Sequence, residues 1–182
     1  SPTRPGFSLA ASADRINVPA GGTAMITVTS TRTGYNGPIA VAAADLPAGF
    51  TSVPTVIGEG RNSVVLTVNA AADAPAGQGH AIRVVGTAKI GDSEFQAEAD
   101  VVDALKAQFS GMPFPPLELS HDVVLAGAPQ PPFVLKVEPA EIVFGKNLQA
   151  AVKVTGGRGE GIDEALAWAV TPEKEGLPPG VS

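Results

Sequence analysis

His80 and His121 are the only histidines, and so the only imidazoles that could hold a metal or move a proton near neutral pH. A structural or catalytic metal needs three or four ligands converging on one point. Neither histidine has another nearby in sequence, and the chain has no cysteine. Thiolate metal sites, disulfides and cysteine nucleophiles are therefore excluded. Ser120-His121-Asp122 supplies the residue types of a hydrolytic triad. Adjacent residues of an extended chain point to opposite sides, however, and no Gly-x-Ser-x-Gly elbow accompanies them. Glu94, Glu98 and Asp100, with Gln96 between, fall at alternate positions and read as the solvated face of one strand. A weak calcium site or acidic contact surface is the alternative, but no Asp-x-Asp-x-Asp-Gly loop is present. Asp73 and Asp92 sit among turn residues, where aspartate serves backbone geometry.

Gly156-Gly157-Arg158-Gly159-Glu160-Gly161 resembles a phosphate cradle only in its glycines. No Lys-Ser or Lys-Thr pair and no helix start follow, so it reads as a flexible loop between strands. Tyr35 and Asn36 lie in a loop and are the candidate contact residues; the sole tryptophan, Trp168, is expected in a core. No catalytic, cofactor-binding or metal-ligating residue is assigned, and no cofactor is expected.

The surrounding composition narrows the class. Lysine and arginine number 12 against 18 acidic residues and are scattered singly. Without a basic stripe a nucleic-acid partner is not expected. No apolar run is long enough to span a membrane. The chain begins at Ser1 rather than Met, which reads as processing or excision from something longer. The apolar fraction of 44% supports a packed core, but aromatics are only 5%, which fits thin cores better than a deep cleft. Glycine and proline, 21 and 17 residues, punctuate many short segments, as in all-β chains.

Those segments alternate. Ile26 and Val28 face one way, Thr27 and Thr29 the other; Val64, Leu66 and Val68 form a second apolar row, and Ile82 and Val84 a third. Phe95, Ala97, Ala99 and Val101 alternate with Glu94, Gln96, Glu98 and Asp100. Phe7 to Ala11 and Ile16 to Val18 read as a split first strand; Ile39 to Ala43 and Thr55 to Ile57 are further strands. Turns are expected at Tyr35-Asn36-Gly37-Pro38, Leu46-Pro47-Ala48-Gly49, Pro75-Ala76-Gly77 and Gly91-Asp92. Seven or eight strands result, at the spacing of an immunoglobulin-like sandwich.

The chain also repeats itself, at the separation of Phe7 and Phe133, an offset of 126. Leu9 then falls on Leu135, Ile16 on Ile142, Val18 on Phe144, Ile26 on Val152, Val28 on Val154 and Arg32 on Arg158. With small insertions, Ile39 and Val41 fall on Leu166 and Trp168. Likewise Leu46-Pro47-Ala48-Gly49 falls on Leu177-Pro178-Pro179-Gly180. Three segments are expected: a complete sandwich over 1–102, a Pro-rich linker or extra strand over 103–132, and the first half of a second sandwich over 133–182. Leu117, Leu119, Val123, Val124 and Leu125 supply the extra strand, expected to pack on a neighbouring module. A half sandwich leaves apolar faces open, so the intact protein is expected to continue past Ser182, or another subunit to complete it.

Phe7-x-Leu9, Ile16-x-Val18-x-x-Gly21, Tyr35-Asn36-Gly37-Pro38-Ile39, Leu46-Pro47-Ala48-Gly49 and Ala71-Ala72-Asp73-Ala74-Pro75-Ala76-Gly77 resemble bacterial immunoglobulin-like tandem repeats. Gly86-Thr87-Ala88 adds to the likeness. It covers 7 to about 102 well and 133–182 in part. It implies a non-catalytic structural or adhesive segment of a large secreted or cell-surface protein, extracellular or periplasmic. The partners implied are neighbouring repeats or other envelope proteins. The alternative is a carbohydrate-binding accessory module of an extracellular enzyme, with a glycan as partner. An exposed Tyr35 beside a second aromatic would favour that alternative.

Overall fold

The computed structural model describes residues 5–109, 111, 116, 119–130, 133–139 and 151–158. The chain divides into two compact units, Ser1–Gln130 and Pro131–Ser182.

The first unit runs β1 (Gly6–Ala11), β2 (Arg15–Pro19), β3 (Thr23–Thr33), β4 (Ile39–Ala44), β5 (Phe50–Ser52), β6 (Thr55–Ile57), β7 (Ser63–Ala70), β8 (Gly79–Ile90), β9 (Ser93–Asp100), α1 (Val102–Gln108) and β10 (Asp122–Ala128). Among its described residues it is an all-β unit with one short α-helix. Side chains alternate between core and solvent along each strand because the pleat sends neighbours to opposite faces. In β3 the buried set is Ile26, Val28 and Ser30; in β7 it is Leu66, Val68 and Ala70; in β8 it is Ile82, Val84, Gly86 and Ala88. β9 follows the same parity at Ala99. Phe95, at its opposite end, stays exposed while stacking edge-on against Phe7 with ring centroids 5.0 Å apart.

Strand pairing forms two ladders. One runs β9-β1-β3-β7-β5, and the other β6-β4-β8-β10-β2. β9 joins them: Ser93 to Glu98 pair with β8, while Ala99 and Asp100 pair with β1. Most pairs are antiparallel, but β1–β9 and β2–β10 are parallel. Inward side chains from both ladders form one core: Leu9, Ile26, Val28, Leu66 and Val68 from the first, and Val18, Ile39, Val41, Ile82, Val84 and Leu125 from the second. Burial of each is worth about 1.5–3 kcal/mol. The two ladders approach closely at Gly86, where an added Cβ would lie 2.3 Å from Leu9 Cδ1.

The segment 103–132, read from sequence as a linker or an extra strand, contributes α1 and β10 to this unit. β10 fills the gap between β8 and β2, burying Val123 and Leu125. The boundary of the compact unit therefore falls after Gln130, not after Val102. The cause is hydrogen-bond accounting. β9 covers β8 only over residues 85–90, leaving the edge at 79–83 to be satisfied by β10. α1 is held at both ends: Val101 N–H donates to Ser120 O at 2.8 Å, and Gln108 Nε2 donates to Asp14 Oδ1 at 3.0 Å. Arg15 donates to Gln108 Oε1.

In the second unit, β11 (Phe133–Glu138) and β12 (Lys153–Arg158) form an antiparallel pair. Gly156-Gly157-Arg158, read as part of a flexible loop, instead forms the second half of β12, opposite Leu135, Val134 and Phe133. Glycine is a weak strand former, but the partner strand Phe133-Val134-Leu135-Lys136-Val137, apolar at four of five positions and β-branched at Val134 and Val137, favours the ladder, and glycine does not obstruct it. The register repeats that of unit 1. Phe7 opposes Arg32 and Phe133 opposes Arg158; Leu9 opposes Ser30 and Leu135 opposes Gly156; Ala11 opposes Val28 and Val137 opposes Val154. All correspond at the offset of 126. The expected places of Ile142, Phe144, Leu166, Trp168 and Leu177-Pro178-Pro179-Gly180 lie outside the described residues.

Candidate functional site

The densest polar constellation is where β3 ends and the chain crosses to β4. Arg32 continues the inward row of Ile26, Val28 and Ser30 and is half-buried. Its guanidinium cannot lie among aliphatic side chains unsatisfied, so it turns to backbone carbonyls. Nε donates to Arg61 O at 3.0 Å, Nη2 to Gly58 O at 3.0 Å and Arg61 O at 2.9 Å, and Nη1 to Gly37 O. Beside it, Ser30 N–H and Oγ both donate to Asn62 O. Gly60 N–H donates to Asn36 O at 3.3 Å. One side chain thus ties the β3–β4 connection to the β6–β7 turn.

Tyr35 completes this end of the unit. It is half-buried against the core, its ring centroid 6.4 Å from that of Phe7 and 5.9 Å from Arg32 Cζ. Its hydroxyl donates to Pro38 O at 2.8 Å. Gly37 is required beneath it, since a Cβ there would lie 2.6 Å from the tyrosine oxygen. Tyr35 thereby serves the loop. A sugar platform needs an open aromatic face; here Phe7 and Arg32 lie against the ring, and the exposed Phe95 leans on Phe7. Asn36 is exposed. Asn36-Gly37 does not close a hairpin, because β3 and β4 lie in different ladders.

The remaining candidates disperse. Ser120 is buried, with Oγ donating to Pro116 O at 3.0 Å. His121 is exposed, its Nδ1 3.3 Å from Ala99 O, and Asp122 opens β10 opposite Arg83. Three consecutive residues thus face three separate partners, and no triad forms. His80 lies in β8 opposite Leu125. The acidic row of β9 is shared out. Glu94 pairs in register with Lys89, Glu98 accepts from Arg83 Nη1 at 2.9 Å, and Asp100 Oδ1 accepts from Val102 N–H at 3.3 Å where α1 begins. Asp45, in the left-handed backbone region at φ 62°, holds Arg83 Nη2 at 2.7 Å. The hydrogen bond and charge of Asp45, then the charge of Glu98, raise the Arg83 pKa above its usual value. The cluster is solvent-exposed, so it organises the surface without adding much stability.

Sequence reasoning placed Arg32 only as a repeat match with Arg158. The missed signal was parity: a cation on the inward row at a strand end, three residues before the only tyrosine. Among the described residues no group of three histidine or carboxylate side chains is placed to hold a metal, and no helix is long and apolar enough to cross a membrane. A scan against protein-family models finds no match, and a search of curated proteins finds none.

Proposed function

We propose that the chain is a segment of immunoglobulin-like tandem modules with a structural role in a bacterial secreted or cell-surface protein, spacing or presenting neighbouring domains. The observation that carries the reading is the recurrence of one strand register at an offset of 126 residues. Repeated modules that share a pairing scheme suit a spacer, in which each unit adds length.

The ladder orders support the sandwich. β1-β3-β7-β5 correspond to strands A, B, E and D of an immunoglobulin-like module, and β4-β8-β10 to strands C, F and G. β9 is then an added strand, folded against both ladders. The polar constellation around Arg32 and Tyr35 is an internal brace on this reading, and neighbouring repeats or other envelope proteins are the partners.

The mechanism is mechanical. The early strands β1 and β2 each pair in parallel with a late strand, β9 and β10. Tension applied through the two chain ends pulls a parallel pair along its length in opposite directions. The hydrogen bonds of the pair then share the load and break together.

Force spectroscopy of unit 1 tests this. Val124→Pro removes the N–H that donates to Asp14 O at 2.8 Å, beside the β2–β10 pair. Leu66→Ala, on β7 and outside both parallel pairs, perturbs the core elsewhere. At matched loss of chemical stability, Val124→Pro is expected to lower the unfolding force several-fold more. Equal forces for the two variants would remove the load-bearing argument.

A further inference from the structure

Asn36-Gly37 is the only asparagine–glycine pair in the chain; Asn17, Asn62, Asn69 and Asn147 precede Val18, Ser63, Ala70 and Leu148. The pair lies in the β3–β4 connection, with Asn36 exposed. Among the described residues neither the Asn36 side chain nor the Gly37 N–H takes part in a hydrogen bond. A side-chain amide carbon and the backbone nitrogen that can attack it thus stand unengaged in adjacent residues. Glycine leaves that nitrogen unhindered, because it has no Cβ. The fold itself demands glycine here: a Cβ at 37 would lie 2.6 Å from the Tyr35 hydroxyl oxygen and 2.8 Å from its Cζ. The packing of Tyr35 therefore fixes beside Asn36 the neighbour that hinders attack least.

We infer that Asn36 is a site of spontaneous deamidation whose rate is governed by the Arg32 brace and whose product undoes that brace. Gly37 N gives up its proton to water and bonds to Asn36 Cγ. The bond from Cγ to the side-chain nitrogen breaks, and that nitrogen leaves as ammonia. The succinimide so formed takes up water. Opening at Cγ restores the ordinary backbone with an aspartate at 36. Opening at the main-chain carbonyl carbon gives isoaspartate, with the backbone rerouted through Cβ and Cγ. Either product carries a carboxylate where an amide stood. The contacts around the pair oppose the first step. Asn36 O accepts from Gly60 N–H at 3.3 Å, and Gly37 O accepts from Arg32 Nη1. The peptide units on both sides of Gly37 Cα are thereby pinned, while attack needs nitrogen and carbon aligned and within about 3–3.5 Å. Isoaspartate then lengthens the path from Asn36 Cα to Gly37 N, and the former Asn36 carbonyl leaves the main chain as the free carboxylate. Gly60 N–H loses its carbonyl acceptor, and Gly37 O shifts away from Arg32. None of this depends on the spacer role.

The full chain is aged in mildly alkaline buffer, either folded or unfolded in urea. Mass spectrometry follows the peptide spanning Asn36, with electron-driven fragmentation to separate isoaspartate from aspartate. Conversion is expected in both, slowed by about tenfold or more in the folded chain, since attack waits on local opening. Arg32→Lys is expected to speed conversion several-fold in the folded state, and Tyr35→Phe, a milder change, to act in the same direction. In the isolated isoaspartate form, amide exchange at Gly60 is expected to be several-fold faster than in fresh protein. Asn36→Gln, which would have to close a larger ring, is expected to keep the Gly60 exchange of fresh protein through the same ageing. An Asn36 that stays intact in the folded chain after the unfolded chain has converted fully overturns the site. Conversion as fast folded as unfolded, or no faster in either variant than in the wild type, overturns control by the brace. Unchanged exchange at Gly60 in the isoaspartate form overturns the effect on the brace.

Discussion

Gly86→Ala probes the closest approach of the two ladders, and its sign is informative. Glycine in a strand interior normally costs stability, so replacing it with alanine at an open site gains about 0.5–1 kcal/mol. Gly86 is not open. The new Cβ would lie 2.3 Å from Leu9 Cδ1 and 3.2 Å from both Ile39 Cγ2 and Phe7 Cε2. Carbon atoms rest at about 3.5–4.0 Å, so the end of Leu9 must retreat by more than an ångström. Leu9 is only 2% exposed and belongs to the same buried cluster as Ile26 and Val28, so its retreat must displace packed neighbours. Overpacking of this kind costs about 1–3 kcal/mol, which for a unit of this size lowers the Tm by roughly 3–15 °C. Calorimetry and urea unfolding of the variant measure it. Leu9→Ala alone opens a cavity and costs about 2–5 kcal/mol. In the double variant the methyl group introduced at position 86 occupies part of that cavity, so the two losses should fall short of additive by about 0.5–3 kcal/mol. A stabilised Gly86→Ala, or strictly additive losses, would refute the claim that these residues meet across the core.

Four further outcomes follow from the same contacts. Gly127→Ala places a Cβ 2.0 Å from Pro75 O, a backbone atom that cannot rotate away, so its Tm should fall further than that of Gly86→Ala in the same calorimetric scan. Arg32→Lys keeps the charge but loses the fork that reaches the carbonyls of Gly37, Gly58 and Arg61. It should cost about 1.5–3 kcal/mol by urea denaturation, with faster amide exchange at Gly60. Tyr35→Phe, which leaves the Pro38 carbonyl without its donor, should cost about 0.5–1.5 kcal/mol and leave the strand amides unchanged by NMR. Arg83→Gln should leave the Tm within error at physiological salt, because both of its ion pairs are exposed. The raised Arg83 pKa favours the folded state below its unfolded value, and that contribution is lost only as pH climbs through the folded pKa, in strongly alkaline solution. Between about pH 5 and 9 no titration step from this residue should appear in a Tm–pH profile.

Alternation is a local property, and it made the strands legible. Ile26, Val28, Leu66, Val68, Ile82 and Val84 are inward by pleat alone, whatever they pack against, and the structure buries each of them. The offset of 126 was equally legible, and the backbone pairs of β1–β3 and β11–β12 keep it residue for residue. Pairing partners are different, because they are chosen across long stretches of chain by whichever edge lacks hydrogen bonds. The 103–132 segment read as a linker or an extra strand; its short apolar run marked a possible strand but said nothing of β8 and β2 as its partners. Only the open edge at 79–83 makes Asp122–Ala128 a central strand. Gly156 and Gly157 looked like loop for the same reason, since β11 rather than their own composition holds them in a ladder. Arg32 is the clearest division. Its parity and its match to Arg158 are written in the sequence, but the carbonyls of Gly37, Gly58 and Arg61 converge on it only when separate turns meet at one end of the unit. The sequence determined which side chains face inward, while the folded chain decided which backbone groups were left for them to satisfy.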